Sequence, residues 1–229
     1  TAKAVEYILS GTIASGSVKI YSDNKFKLTL NGVNITNNDG PAINIQSKKR
    51  VFVVMTDNTT NTLVDGTSYA TSTEDMKGTI FSEGQLIFTG NGTLNVKGNY
   101  KHAIASDDYI RVQSGTINVT AAVTDGIHTN DAFITDGGTL NVTASSDAIE
   151  CEEGFIVINN GNFTIKAVDD GIAASWNTDT TIDPYVTING GTFNISTTKG
   201  EGIESKSTLT INDGTFTIKT YDDGLNARK

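Results

Sequence analysis

The chain has 229 residues and 37% hydrophobic content, enough to bury the core of one large all-β domain. With 23 glycines and only 2 prolines it is not a proline-rich disordered linker. The net charge of −9 is unevenly placed, +1 over residues 1–100 and −10 over residues 101–229; this argues against a nucleic-acid partner, which needs clustered Lys and Arg, and favours bound cations in the second half.

Thr1, preceded by neither methionine nor an apolar leader, is read as the mark of a removed targeting segment or a trimmed end. The longest apolar run, Val51–Met55, falls far short of the ~20 residues of a membrane span. One cysteine, Cys151, excludes an intrachain disulfide framework and leaves export unread.

Taken in chain order, the first copies of a repeat are loose, with Val33 and Leu63 opening apolar strands. From residue 92 the copies tighten: GTLNVKGN (92–99), GTINVTAA (115–122), GGTLNVTA (137–144), GNFTIKAV (161–168), GGTFNIST (190–197) and DGTFTIKT (213–220). Their first apolar positions are Leu94, Ile117, Leu140, Phe163, Phe193 and Phe216, at gaps of 23, 23, 23, 30 and 23. A second anchor runs in phase through Ile80, Ile104, Ile127, Ile149, Ile172, Ile203 and Leu225, and a third short strand follows it, as in YIRV (109–112), FIVI (155–158) and TLTI (208–211).

Such a unit cannot close its own core and must stack on its neighbours. Leucine-rich repeats need a leucine–asparagine framework with a helical back, and neither is present. The expectation is one all-β domain over residues 1–229, a right-handed parallel β-helix: a solenoid of about eight coils with ~23 residues per regular coil. Longer intervals mark loops, chiefly 64–77 and 174–183. Alternation turns Asn95, Asn118, Asn141, Thr164, Asn194 and Thr217 outward as a ladder, followed by Lys97, Thr120, Thr143, Lys166, Ser196 and Lys219. The ladders are read as a solvated face or as a docking surface for polysaccharide. The Asn-X-Thr sequons they contain are by-products of the pattern.

Two residues before successive anchors stand Gly78, His102, Asp125, Asp147, Asp170, Glu201 and Asp223. Rungs lie ~4.8 Å apart, so neighbouring carboxylates repel by ~1 kcal/mol in water and ~3–4 kcal/mol at an effective dielectric near 20. From His102 onward, Lys101 and Lys199 are the only lysines within three residues of these positions. A hard divalent cation answers the demand, and calcium favours several such oxygens. Glu150 and Glu204, one residue after their anchors, complete the expected shells. A second acidic group, Asp107, Asp108, Asp131, Glu152 and Glu153, recurs nearby. Asp-Gly is also good turn chemistry, which accounts for any one of these residues better than for five in succession.

His102 and His128 have no Cys or His partner at zinc spacing, and His102 is read as a turn residue. Cys151 points inward as an inert thiol. Trp176 either stacks on a sugar ring or caps the core, and Tyr100, Tyr109 and Tyr185 are weaker sugar candidates. No nucleophile elbow, phosphate loop or zinc-protease motif is present.

The run LNGVNITNNDGPAINIQ (30–46), GTLNVKGNYKHAIASDD (92–108) and the repeated DGI…GGTLNVTA resemble the calcium-binding, polysaccharide-lyase-like β-helix carbohydrate-binding proteins of cellulolytic clostridia. The resemblance implies a secreted or surface-attached bacterial protein that binds plant cell-wall polysaccharide, cellulose or pectic acid, with Ca2+ as cofactor. It implies that Asp125, Asp147 and Asp170 match calcium-ligating acids. It also implies likeness to pectate lyases, which use calcium and a basic residue; Lys101 and Lys206 are the plausible bases, and neither lies in a recognisable lyase motif. Three readings follow: a binding module in which Asn118, Asn141, Tyr100 and Trp176 meet the glycan, a lyase, and an adhesin without glycan ligand. The first is preferred, for a monomer.

Overall fold

In the computed structural model, residues 3–176 and 179–228 are described. Alternation makes the strands: in Asn162–Ala167 every second side chain is buried while the intervening ones face solvent. Among the described residues, twenty-five strands assemble wholly by parallel pairing into one sheet of sixteen strands and one of nine. No helix occurs among the described residues, hence none long and apolar enough to cross a membrane.

The expectation of a right-handed parallel β-helix of about eight coils is corrected by this arrangement. Three strands per repeat predict three separate stacks, yet two of the stacks are arms of one sixteen-stranded sheet. The reason lies in the eleven-residue strand Phe26–Thr36. Its first half pairs with Val51–Met55 and its last residues with Thr60–Val64, so a single strand heads both arms. Gly32 sits at the bend with φ of 72°, a left-handed conformation that costs glycine little. The side-chain oxygen of Asn61 accepts the N–H groups of Gly32 and Val33 at 2.9 and 3.0 Å, satisfying the donors that the bend frees.

Asn61 also corrects the register expected upstream. Leu63 pairs with Ile35 and Val96, and it is Asn61 that lies opposite Leu94. A fully buried asparagine thus takes the slot that later copies fill with an apolar residue.

The second anchor behaves as its spacing predicts. Ile80, Ile104, Ile127, Ile149, Ile172, Ile203 and Leu225 pair one-to-one along the nine-stranded sheet. The core is one buried cluster running between the sheets. Phe163, Phe193 and Phe216 stack in sequence with ring centroids 4.7 Å apart and planes within 5°. Segment 64–77 folds back on the first repeats, where Glu74 takes Lys19 at 2.6 Å and the Tyr21 hydroxyl. Within the expected 174–183 loop, Asn177 and Thr178 lie outside the described residues.

Candidate functional site

The turn before each anchor brings the acidic column together. Each acid there serves the next repeat: Asp125 Oδ1 accepts the Asp147 N–H at 3.2 Å, Asp147 Oδ1 that of Asp170 at 2.7 Å, and Asp170 Oδ1 that of Glu201 at 2.8 Å. This is why aspartate recurs at the turn, since its short side chain reaches a backbone donor one rung away. One oxygen of each carboxylate is spent this way. The other oxygen of Asp125 takes His102 and His128 instead.

Burial and crowding set the charges. Burial, then the charges of Glu150 and Asp125, push Asp147 up to about 9. Burial, then hydrogen bonding to Glu201, pushes Asp170 up to about 8, while the same contact lowers Glu201. Glu150 is also raised, chiefly by burial. Asp125 behaves oppositely. Burial would raise it, but hydrogen bonds from His102 and His128 outweigh that and hold it well below the usual carboxylate range. Burial opposes a charge on His128, yet hydrogen bonds to Asp125, Glu150 and Glu152 push it up to about 11; for His102 burial prevails and the pKa falls.

Three groups of ligand atoms lie within 4.8 Å of one another among the described residues: His102, Asp125 and His128; Asp125, Asp147 and Glu150; Asp147, Asp169 and Asp170. The last two groups offer only oxygen donors, and the half-buried, raised Asp147 belongs to both. They fit a hard cation such as calcium. Glu201, Glu204 and Asp223 join none of these groups. Glu201 accepts from Asn226 at 2.9 Å, Glu204 is buried against Lys206 at 2.5 Å and Arg228 at 3.8 Å, and Asp223 is exposed.

The second acidic set lies in the short connections after the anchor strands and mostly finds protein partners. Lys77 reaches Asp107 at 2.6 Å, Gln85 reaches Asp108 at 2.7 Å, and Glu152 faces His128 Nε2 at 3.4 Å. Burial and the charges of Asp108 and Asp107 raise Asp131. Glu153 pairs through its backbone with half-buried Trp176. Of the two candidate bases, Lys101 lines the same cavity of about 460 Å³ as His102, Asp125, Asp147 and Glu150. Lys206 is instead tied to Glu204. Cys151 is buried, and burial pushes its thiol up to about 12.

On another face, Asn141 Nδ2 donates to Asn118 Oδ1 and Asn118 Nδ2 to Asn95 Oδ1, both at 2.8 Å. These amides, with Thr120, Thr143, Thr164 and Lys166, line a groove of about 420 Å³. Tyr100 is half-buried, its ring 4.3 Å from that of Tyr69 and 5.8 Å from the Lys101 ammonium.

Three residues escaped the sequence reading as ligand donors. Asp169 immediately precedes a column acid. His102 occupies the acid's turn slot, and His128 has the same offset from its anchor as Glu150 and Glu204. The signal was one of register, which spacing rules for zinc motifs do not contain.

A family profile described as "Carbohydrate-binding domain-containing protein" matches residues 1–229. A carbohydrate-binding domain-containing protein of Acetivibrio thermocellus is 31% identical over 111 residues, 46% of this chain and 39% of that protein, so the match spans well under half the relative's length. The solved structure of the polysaccharide lyase-like protein from C. thermocellum, a gadolinium derivative, is 28% identical with a TM-score of 0.72, covering 92% of this chain and 87% of that one. The chain belongs to the family of carbohydrate-binding domain-containing proteins.

Proposed function

We propose that the protein works outside the cell as a calcium-dependent binder of plant cell-wall polysaccharide, cellulose or polygalacturonate. Family membership supports the carbohydrate role. The observation that carries calcium is the pair Asp147 and Asp170, half-buried and buried carboxylates raised to about 9 and 8 with other carboxylates beside them. At neutral pH such groups must take up protons or a cation, and the all-oxygen groups around them suit calcium. That the C. thermocellum structure is a gadolinium derivative supports the same reading, because gadolinium, like calcium, is a hard cation that takes oxygen donors.

In this account the column is held together by calcium, which also lets an acidic surface approach uronate groups. Hydroxyl-rich glucan meets the groove of Asn95, Asn118 and Asn141 instead, whose amides offer both donors and acceptors. Retention on insoluble cellulose and on calcium-pectate gel, with and without chelator, tests the proposal. Chelator-sensitive retention on either supports it; no retention on any plant polysaccharide overturns it.

One observation favours a second reading, elimination from polygalacturonate: Lys101 lines the cavity that Asp125 and Asp147 share. Sustained formation of ultraviolet-absorbing unsaturated products from polygalacturonate and calcium, lost in Lys101→Ala, would replace binding by catalysis.

A further inference from the structure

The column changes donor type along its length. At its amino-terminal end two imidazoles replace carboxylates, and they converge. His102 Nδ1 and His128 Nδ1 lie 3.0 and 3.1 Å from the same oxygen, Asp125 Oδ2, and Glu150 Oε2 lies 3.3 Å from His128 Nδ1. For a tetrahedral ion with ligands at 2.0–2.1 Å, donor atoms stand ~3.3 Å apart; these three separations match that spacing, and His102, Asp125 and His128 offer ligand atoms within 4.8 Å of one another. The two rings stack with centroids 4.2 Å apart, and the side chains of Asp125 and His128 are over nine-tenths buried.

A second, independent feature points to a metal. A metal-bound histidine normally directs its other ring nitrogen at a carboxylate, which fixes the tautomer and ring orientation. Glu152 Oε2 lies 3.4 Å from His128 Nε2, on the far side of the ring from Asp125. The remaining oxygens are braced as well: Ser175 Oγ donates to Glu150 Oε1 at 3.2 Å, and Asp125 Oδ1 accepts the Asp147 N–H. The Thr124 hydroxyl also reaches His102 Nδ1, at 3.0 Å, and gives up that contact when the nitrogen takes an ion.

We infer that His102, Asp125, His128 and Glu150 form a site for a borderline divalent ion of the zinc class, separate in selectivity from the all-oxygen groups further along the column. Imidazole suits zinc, cobalt and nickel, whereas calcium prefers oxygen alone. Two neutral imidazoles and two carboxylates match a 2+ charge. Asp125 and Glu150 are shared with the neighbouring oxygen group, so the hard ion's full occupancy shifts toward Asp147, Asp169 and Asp170 when zinc is bound. The inference does not depend on the polysaccharide reading.

The test uses untagged, chelator-stripped protein titrated with zinc or cobalt(II) in excess calcium. The expected result is one zinc-class ion per chain that calcium does not displace, with an imidazole-type cobalt visible spectrum. His102→Gln and His128→Gln each weaken zinc by at least ~10-fold while calcium binding persists. Because the chain has only 2 histidines, ring-nitrogen NMR of the unaltered protein reads the site without any variant; zinc should shift both Nδ1 signals. Absence of stoichiometric zinc uptake, unshifted ring signals, or displacement by calcium overturns the inference. Calcium titration of the same samples reports the acidic end separately.

Discussion

Asp147, raised to about 9, gives the metal-free protein an unusual pH dependence. A carboxyl that binds its proton more tightly folded than unfolded loses its stabilising effect as pH rises from ~4 toward the folded value, at up to about 1.4 kcal/mol per pH unit. His128, raised to about 11, acts in the same direction from ~6.5 upward. His102, lowered, and Asp125, lowered, act oppositely at acid pH. Urea midpoints in chelator should therefore fall between pH 7 and pH 9, and calcium should flatten the decline; a midpoint that rises across that window contradicts the assignment. Asp147→Asn keeps an acceptor for the Asp170 N–H while removing the charge. It should stabilise the chelated protein at pH 8 by at least ~1.4 kcal/mol in urea denaturation and abolish most of the calcium response. The acids and their shared turn were legible from spacing alone. Their unequal charge states were not, because these depend on which oxygen each backbone N–H occupies and on two imidazoles that no short motif connects.

At the scale of elements, the strand Phe26–Thr36 departs furthest from the sequence reading. Alternation identifies each strand and its inward face, but the joining of two stacks depends on φ at Gly32 and on an amide 29 residues later in the chain. Asn61→Leu would restore the apolar pattern of later copies, yet it should cost ~1–3 kcal/mol in urea denaturation, because a buried and a half-buried backbone donor lose their acceptor. A stabilised variant would refute the role given to Asn61. The phenylalanine stack makes a graded prediction: Phe193→Ala should cost ~3–5 kcal/mol, and Phe216→Ala less, since Phe216 is only partly buried at the end of the core. The stack itself was readable from the repeat, as Phe163, Phe193 and Phe216 share one position.

Across the whole molecule, repetition turns single residues into surfaces. Parallel pairing at constant register converts one turn acid into a column and one outward asparagine into the Asn95–Asn118–Asn141 amide chain. Changing both Asn118 and Asn141 to Ala should lower retention on cellulose severalfold with calcium affinity unchanged, by pull-down and calorimetry; equal retention would move the glycan to another face. The imbalance between halves, −10 over residues 101–229, is the long-range counterpart of the same column. A crystal of the protein grown in calcium, with anomalous differences measured, tests that column most directly. An ion coordinated by Asp147 with Asp169 and Asp170, or with Asp125 and Glu150, is expected at oxygen distances of about 2.3–2.6 Å. Carboxylates turned apart with only water between them, at saturating calcium, would contradict it.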